Sequence, residues 1–169
     1  SRHLIGFGTH LSLKAGHSDL VALEQGLDES VLLLRHLESV MSLFQADSQI
    51  SRLNRDGVLN DADAHLLRIV RLACKVSEAS AGAFDITVQP LWQVWHQALG
   101  NHRLPSDNDL AAARAKLGWQ GLDIKQRTLR FMRAGMAITL NGIAQGYACD
   151  QVRALLMKRG IGHAVLDIG

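Results

Sequence analysis

The sequence predicts a mixed α/β (α+β) domain in which long helices pack on a largely antiparallel sheet. Three observations support this fold class. Apolar and polar residues alternate from Ile5 to Leu13, helical periodicity runs from Ser18 to Phe44, and residues 122–132 have the pattern of a β-hairpin. A chain of 169 residues is long enough for one domain with a sizeable core.

The composition is that of a folded globular protein. Hydrophobic residues make up 47% of the chain and charged residues 20%, which argues against intrinsic disorder. The net charge of +2 is spread without a basic tract, so nothing indicates nucleic-acid binding. No apolar run approaches the roughly 20 residues of a membrane span, and no signal peptide is visible, although a trimmed exported protein would look the same. Cys74 and Cys149 lie in helical patterns and are predicted to be buried free thiols.

The first element is predicted to be a half-buried strand over Ile5–Leu13. His3, His10 and His17 are spaced seven residues apart, which in a strand points them to alternating faces. We therefore interpret these histidines as surface residues and not as metal ligands.

A long helix is predicted from Ser18 or Asp19, one of which caps it, to about Phe44. Gly26 is expected to be a tolerated weak point within this helix. Its buried stripe is predicted to contain Leu23, Leu27, Val31, Leu34, Met41 and Phe44. Residues 46–57 are predicted to form a polar loop.

The second helix is predicted to begin at about Asp63 and to end at Gly82, a glycine suited to a left-handed cap. Its inward residues are predicted to be Leu66, Ile69, Val70, Ala73 and Val76. Asp85 follows the cap, where it could either hold a polar ligand or cap the next segment.

A third helix is predicted over residues 105–118, opened by a proline and an approximate capping box. Trp92 and Trp95 are three residues apart and are predicted to pack in the core. The hairpin at residues 122–132 follows. The last strand, His163–Ile168, is expected to pair with a partner that a fuller domain supplies.

Residues 136–150 carry the pattern around which we expect the chain to be organised. Met136–Leu140 resembles a buried strand, Asn141 and Gly142 form a turn, and a helix with an apolar face follows Gly146. The free N–H groups and positive dipole of such a helix N-terminus suit an anion. An ordinary strand–turn–helix without a ligand remains open, because the spacing matches neither a P-loop nor the dinucleotide fingerprint. No spacing in the chain predicts a catalytic constellation.

Four segments, in order, resemble motifs of the ApbE family of FAD:protein FMN transferases. The segments are Phe7-Gly-Thr9, Ser48-Gln-Ile-Ser-Arg-Leu-Asn54, Gly82-Ala-Phe-Asp-Ile-Thr-Val-Gln-Pro-Leu91 and Leu140-Asn-Gly-Ile-Ala-Gln-Gly-Tyr-Ala-Cys-Asp150. They correspond to about the N-terminal half of a typical member. The resemblance implies a T-fold-related architecture in which residues 1–169 are the N-terminal portion of a single ApbE-like flavin transferase domain, incomplete in this chain.

The resemblance also implies an activity. Members of the family cleave FAD with Mg²⁺, attach the FMN moiety to a threonine of a target flavoprotein and release AMP. The implied partner is a flavoprotein with a Ser/Thr-Gly-Ala-Thr acceptor motif. The implied location is the periplasm, with anchoring to the inner membrane through a lipid that is not present in this chain.

Site residues follow from the resemblance, position by position. The FAD-contacting positions are Phe7, Phe44, Ala83, Phe84, Asp85, Thr139 and Gln145. The backbone carbonyl of Gly142 falls at a metal-ligand position. The catalytic residues and the side-chain Mg²⁺ ligands are expected beyond Gly169.

Three positions depart from the family pattern. Thr139 replaces an aspartate, Asn141 replaces a glycine, and Gln145 replaces a lysine or glutamate, so two charges near the nucleotide are lost. An alternative is therefore a non-catalytic FAD-binding relative of the family. A third reading is an unrelated α/β domain, which absence of FAD binding would favour.

Overall fold

The computed structural model describes residues 1–168 and consists of six helices, six strands and two short 3₁₀ turns. In chain order the elements are β1 Arg2–Gly6, β2 Thr9–Gly16, α1 Leu20–Met41, α2 Gln49–Asp56, β3 Val58–Leu59, α3 Ala64–Ala79, the 3₁₀ turn Ile86–Val88, α4 Gln89–Gly100, α5 Asp107–Arg114, the 3₁₀ turn Trp119–Gly121, β4 Leu122–Lys125, β5 Thr128–Phe131, α6 Ala144–Lys158 and β6 His163–Ile168. The predicted fold class is confirmed.

The strands form two antiparallel sheets of three strands each, ordered β1-β2-β6 and β3-β5-β4. The single strand predicted over Ile5–Leu13 is wrong, because Phe7 and Gly8 form a two-residue hairpin turn between β1 and β2. A two-residue loop preserves the alternation of apolar and polar residues, so the pattern could not reveal it. The predicted hairpin between β4 and β5 is confirmed.

The last strand, β6, finds its partner within the chain. It pairs antiparallel with β2, in a register that runs from Leu11 opposite Ile168 to Gly16 opposite His163. Within residues 1–168 β6 lies at the edge of this sheet, so a further partner from a fuller domain stays a prediction. Pairing between strands so far apart in sequence leaves no local signal.

Helix α1 begins after Asp19, whose carboxylate accepts hydrogen bonds from the N–H groups of Val21 and Ala22 at 2.9 and 3.0 Å. It ends at Met41, so Phe44 lies outside the helix and is 75% exposed, contrary to the predicted buried stripe. The predicted polar loop is also wrong in part, because it contains α2. Ser48 caps α2, and Gly57 ends it with a left-handed φ of 72°.

The aromatic residues of α4 correct the predicted core. Helix α4 itself was not expected, and it packs against α5 and the preceding 3₁₀ turn. Trp92 and Trp95 lie on its outer side and are 51% and 40% exposed, and Val76 of α3 is exposed as well. Trp92 stacks on His96, with ring centroids 4.7 Å apart.

The remaining side-chain predictions concern thiols and histidines. Cys74 and Cys149 are free, as predicted, but only partly buried, and burial raises the pKa of both thiols. His3 and His10 are exposed and His17 is half-buried, so all three have surface positions, as predicted. Within residues 1–168, no helix is both long and apolar enough to cross a membrane.

Gly26 lies where α1 closely approaches the C-terminal part of the chain, and its expected cost to the helix stays a prediction. A β-carbon at Gly26 would lie 2.6 Å from Ile161 Cδ1 and 3.3 Å from Leu156 Cδ2, both in buried side chains. Gly146 of α6, in contrast, has nothing within 4 Å of such a β-carbon.

We expect Gly26→Ala to be less stable than Gly146→Ala by about 1–3 kcal/mol, the usual penalty for overpacking a core. Both substitutions gain up to about 1 kcal/mol of helix propensity, so their difference isolates the packing term. Urea denaturation of the two variants measures it. Equal stabilisation by both substitutions would contradict the close approach.

Candidate functional site

The segment Met136–Leu140 is mostly buried but belongs to neither sheet, so the strand predicted there is wrong. Its backbone polar groups are satisfied by other means. The side chain of Asn54 donates to the Ile138 carbonyl and accepts from the Ile138 N–H, both at 2.8 Å. The N–H of Thr139 donates to the carbonyl of Ile86 at 2.8 Å. The Asn54 amide and the Ile86 carbonyl therefore provide hydrogen bonds that a neighbouring strand would otherwise provide.

The turn after this segment leads directly into α6. The carbonyl of Leu140 accepts hydrogen bonds from Ile143 at 2.9 Å and from Ala144 at 2.7 Å. Ile143 precedes the helix and provides no side-chain cap. The first turn of α6 therefore presents N–H groups and the positive end of the helix dipole, as the sequence predicts. The Thr139 hydroxyl accepts from the Asn141 N–H at 3.2 Å, which stabilises the turn.

A cavity of about 200 Å³ lies between this turn and the N-terminal hairpin. Its walls include Phe7, Phe44 and Gln145, three of the predicted site residues, together with Gly8 and Asn141. These residues come from three separate parts of the chain. The cavity therefore has two aromatic walls and a polar end at the start of α6.

Phe44 lies against the hairpin turn although most of its ring is exposed. A β-carbon at Gly8 would lie 2.9 Å from Phe44 Cε2, and Gly8 has a φ of 78°. Only glycine suits both the backbone conformation and the contact. Phe44 thus closes the side of the cavity nearest the turn.

The predicted triplet at residues 83–85 contacts the α6 turn through Phe84. A β-carbon at Gly142 would be 3.4 Å from Phe84 Cε2, so the ring packs against the turn. Ala83 is exposed and lines none of the cavities described here. Thr139 is held beside this triplet by its bond to Ile86.

Asp85 has a structural role, the alternative that the sequence left open. Its Oδ1 accepts from the Thr87 N–H at 2.8 Å and from the Thr87 hydroxyl at 2.7 Å. The Thr87 hydroxyl in turn accepts from the Gly118 N–H at 2.7 Å. Asp85 therefore caps the 3₁₀ turn with one oxygen, which ties the triplet to the segment after α5.

Tyr147, in the same motif as Gly142, anchors α6 to α3. Its hydroxyl lies 2.8 Å from His65 Nδ1. Burial lowers the pKa of His65 and raises that of Tyr147, so both side chains are held neutral near pH 7. His36 and Asp63 extend this contact to α1 through a 3.0 Å pair. The start of α6 is thereby fixed relative to the two helices beneath it.

A magnesium site is not formed by the described residues. No group of three or more His, Cys, Asp or Glu side chains within residues 1–168 could hold a metal ion. Gly142 offers a carbonyl, while Asp150 is exposed on α6 two turns further along. Mg²⁺ prefers six oxygen ligands, usually including one or two carboxylates. The donors present here do not fit that requirement.

Another cavity, of about 340 Å³, lies between α6 and the sheet formed by β2 and β6. Its walls include Leu13, Cys149 and Leu166 but none of the predicted site residues. The smaller cavity is the better candidate site, because aromatic walls and a helix N-terminus meet there. Asn54 was not predicted as a site residue, although its motif was recognised.

Comparisons with known proteins agree with this fold and these motifs. The model of the ApbE family matches residues 7–169. The FAD:protein FMN transferase of Vibrio cholerae serotype O1 is 30% identical over 179 residues, covering 99% of this chain and 52% of the relative. The Escherichia coli K12 transferase of the same name is 26% identical over 140 residues, covering 78% and 40%.

Solved structures give the same result. The apo crystal structure of Pseudomonas stutzeri flavinyl transferase ApbE has a TM-score of 0.86 at 28% identity, covering 99% of this chain and 57% of that one. Flavin transferase ApbE from Vibrio cholerae has a TM-score of 0.83 at 27% identity, with 99% and 57% covered. This chain spans about half the length of the curated relatives it matches. Since the family model covers nearly the whole chain, the chain belongs to the ApbE family.

Proposed function

We propose that this chain binds FAD and takes part in FAD:protein FMN transfer, in which FMN moves from FAD to a threonine of a target flavoprotein and AMP is released. The observation that carries the proposal is the cavity between Phe7, Phe44 and the start of α6. It occurs in a chain similar to proteins named FAD:protein FMN transferase.

The chemistry of the cavity supports a flavin nucleotide. The faces of Phe7 and Phe44 suit a planar aromatic ring, which prefers offset or edge-on contact with another ring. The uncapped first turn of α6 suits phosphate groups, and the Gln145 side chain offers both a donor and an acceptor. At about 200 Å³ the cavity is smaller than the roughly 300–1,000 Å³ of typical small-molecule sites, so it would enclose only part of FAD.

The proposed reaction includes Mg²⁺, on the resemblance alone. A divalent cation would offset the charge of the pyrophosphate during phosphoryl transfer. The described residues do not fit the ion, so the contribution of this chain is limited to positioning the nucleotide. The Gly142 carbonyl is the one group here that the resemblance assigns to the metal.

Two positions favour a second candidate, a relative that binds FAD without catalysis. Thr139 and Gln145 stand where the family motifs carry charged residues. The Thr139 hydroxyl is engaged by the turn itself, and it carries no charge to replace the carboxylate.

The test is incubation with FAD, Mg²⁺ and an acceptor protein bearing a Ser/Thr-Gly-Ala-Thr motif, first with residues 1–169 alone. We expect residues 1–169 alone to bind FAD weakly and to release no AMP, because no metal cluster exists in the described part. Covalent FMN on the acceptor is read by in-gel fluorescence and AMP by chromatography. Steady AMP release by residues 1–169 would contradict the inference that these residues form no metal site.

The acceptor experiment is repeated with any longer product that the gene encodes. Covalent FMN on the acceptor threonine would support transferase activity. FAD binding without transfer would favour the non-catalytic candidate, and no FAD binding by either protein would overturn the proposal. The periplasmic location and the lipid anchor stay predictions of the resemblance.

A further inference from the structure

Phe7 adopts a backbone conformation that is unusual for its residue type. Its φ is 52° and that of Gly8 is 78°, so both central residues of the β1–β2 turn lie in the left-handed region. Hairpin turns of this kind favour Asn, Asp or Gly at the first central position. A phenylalanine there stores strain, which persists only when the surrounding structure holds it.

A partly buried carboxylate from α1 holds this turn. Glu38 Oε1 accepts a hydrogen bond from the Phe7 N–H at 2.9 Å, and its side chain is only 13% exposed. Arg35 donates to the second oxygen of Glu38 at 3.3 Å and to the Ile5 carbonyl at 2.7 Å. Side chains of α1 therefore hydrogen-bond both to the β1–β2 turn and to strand β1.

Glu38 also lies close to Gly6, the residue before Phe7. A β-carbon at Gly6 would lie 3.4 Å from Glu38 Oε2 and 3.0 Å from Leu11 Cδ1. Glu38 thus packs directly on the hairpin backbone. An N–H to carboxylate bond is about twice as strong as a neutral one, which makes it suited to hold a strained residue.

We infer that Glu38 is a positioning residue: through the Phe7 N–H it fixes the aromatic wall of the candidate cavity and so sets the affinity for the flavin. This rests on the proposed FAD binding. Glu38 does not line the cavity and acts only through Phe7. Arg35 supports it by orienting the carboxylate.

A double-mutant cycle tests this inference. In the 169-residue chain we expect Glu38→Ala to weaken FAD binding roughly threefold to tenfold, measured by flavin fluorescence. This is less than the full loss of a hydrogen bond to a charged group, because Glu38 acts on the flavin only through Phe7. In a Phe7→Ala background the same substitution is expected to change the affinity by less than about twofold. Glu38→Gln, which keeps an acceptor oxygen, is expected to restore part of the affinity.

A second readout does not depend on FAD. The Phe7 amide is expected to exchange its hydrogen roughly tenfold faster in Glu38→Ala, while the β2 amide of Leu13 is unchanged. Glu78→Ala, an exposed glutamate on α3, is the matched control and should alter neither readout. Equal losses of FAD affinity with and without Phe7, or an unchanged Phe7 exchange rate, would overturn the inference. Failure of the unmutated chain to bind FAD would count against the proposed function, while the exchange experiment would still decide the role of Glu38.

Discussion

Replacing Asn54 with alanine is expected to lower the free energy of unfolding by about 2–4 kcal/mol, because each buried polar group left unsatisfied costs about 1–3 kcal/mol. Asn54 supplies both the donor and the acceptor for Ile138, whose side chain is fully buried. Alanine removes both partners at once, and water has poor access to the segment. Urea denaturation followed by circular dichroism measures the change.

Two further variants make the result specific. Asn54→Asp keeps the acceptor for the Ile138 N–H but sets a charged oxygen against the Ile138 carbonyl, so it should not recover the stability that the alanine variant loses. Asn108→Ala changes an exposed residue of α5 and should stay within about 0.5 kcal/mol of the unmutated chain. If Asn54→Ala unfolds at the same urea concentration as Asn108→Ala, the two hydrogen bonds between Asn54 and Ile138 do not stabilise the fold.

Replacing Phe44 with alanine is expected to weaken FAD binding roughly threefold to tenfold, the range that an aromatic contact of about 0.5–1.5 kcal/mol gives. Phe44 is 75% exposed, so its removal should change the stability of the fold little. The two effects are therefore separable. Flavin fluorescence titration measures the affinity, and thermal unfolding without FAD measures the stability.

Leu104 offers a matched control for Phe44. It is also 75% exposed, and it lies between α4 and α5, outside the candidate cavity. Leu104→Ala should leave the FAD affinity unchanged. Equal FAD affinities for the Phe44 and Leu104 variants would show that Phe44 does not contact the flavin.

Local helix and hairpin patterns in the sequence predict much of the fold. The periodicity of α1 and α3, the cap at Asp19 and the β4–β5 hairpin are all local features, and local patterns predict them. Errors arise where burial depends on distant partners. Phe44 has the right spacing for the buried face of α1, but the helix ends first. Helix α4 packs mainly against α5 and a short turn, which leaves Trp92 and Trp95 exposed.

The candidate site shows the same division. The sequence predicts a turn that leads into α6 from the glycines and the helical pattern alone, and anion binding at that turn stays a prediction. The sequence cannot predict that Phe7 and Gln145 share a cavity, because that depends on how the β1–β2 turn, α1 and α6 pack together. The family resemblance identifies the candidate site residues. The structure adds Glu38, which hydrogen-bonds to Phe7, and Asn54, which hydrogen-bonds to the segment before α6.

The pairing of β2 with β6 has a consequence for the order of folding. Leu11 meets Ile168, so the first sheet cannot close until residues up to Ile168 have left the ribosome. Contacts this distant in sequence carry a large loop-closure entropy and slow the folding of a domain. Helices α1 and α3 and the β4–β5 hairpin can form early from nearby residues. The cavity joins Phe7 of the β1–β2 turn to Gln145 at the start of α6, so it is expected to assemble after these local elements.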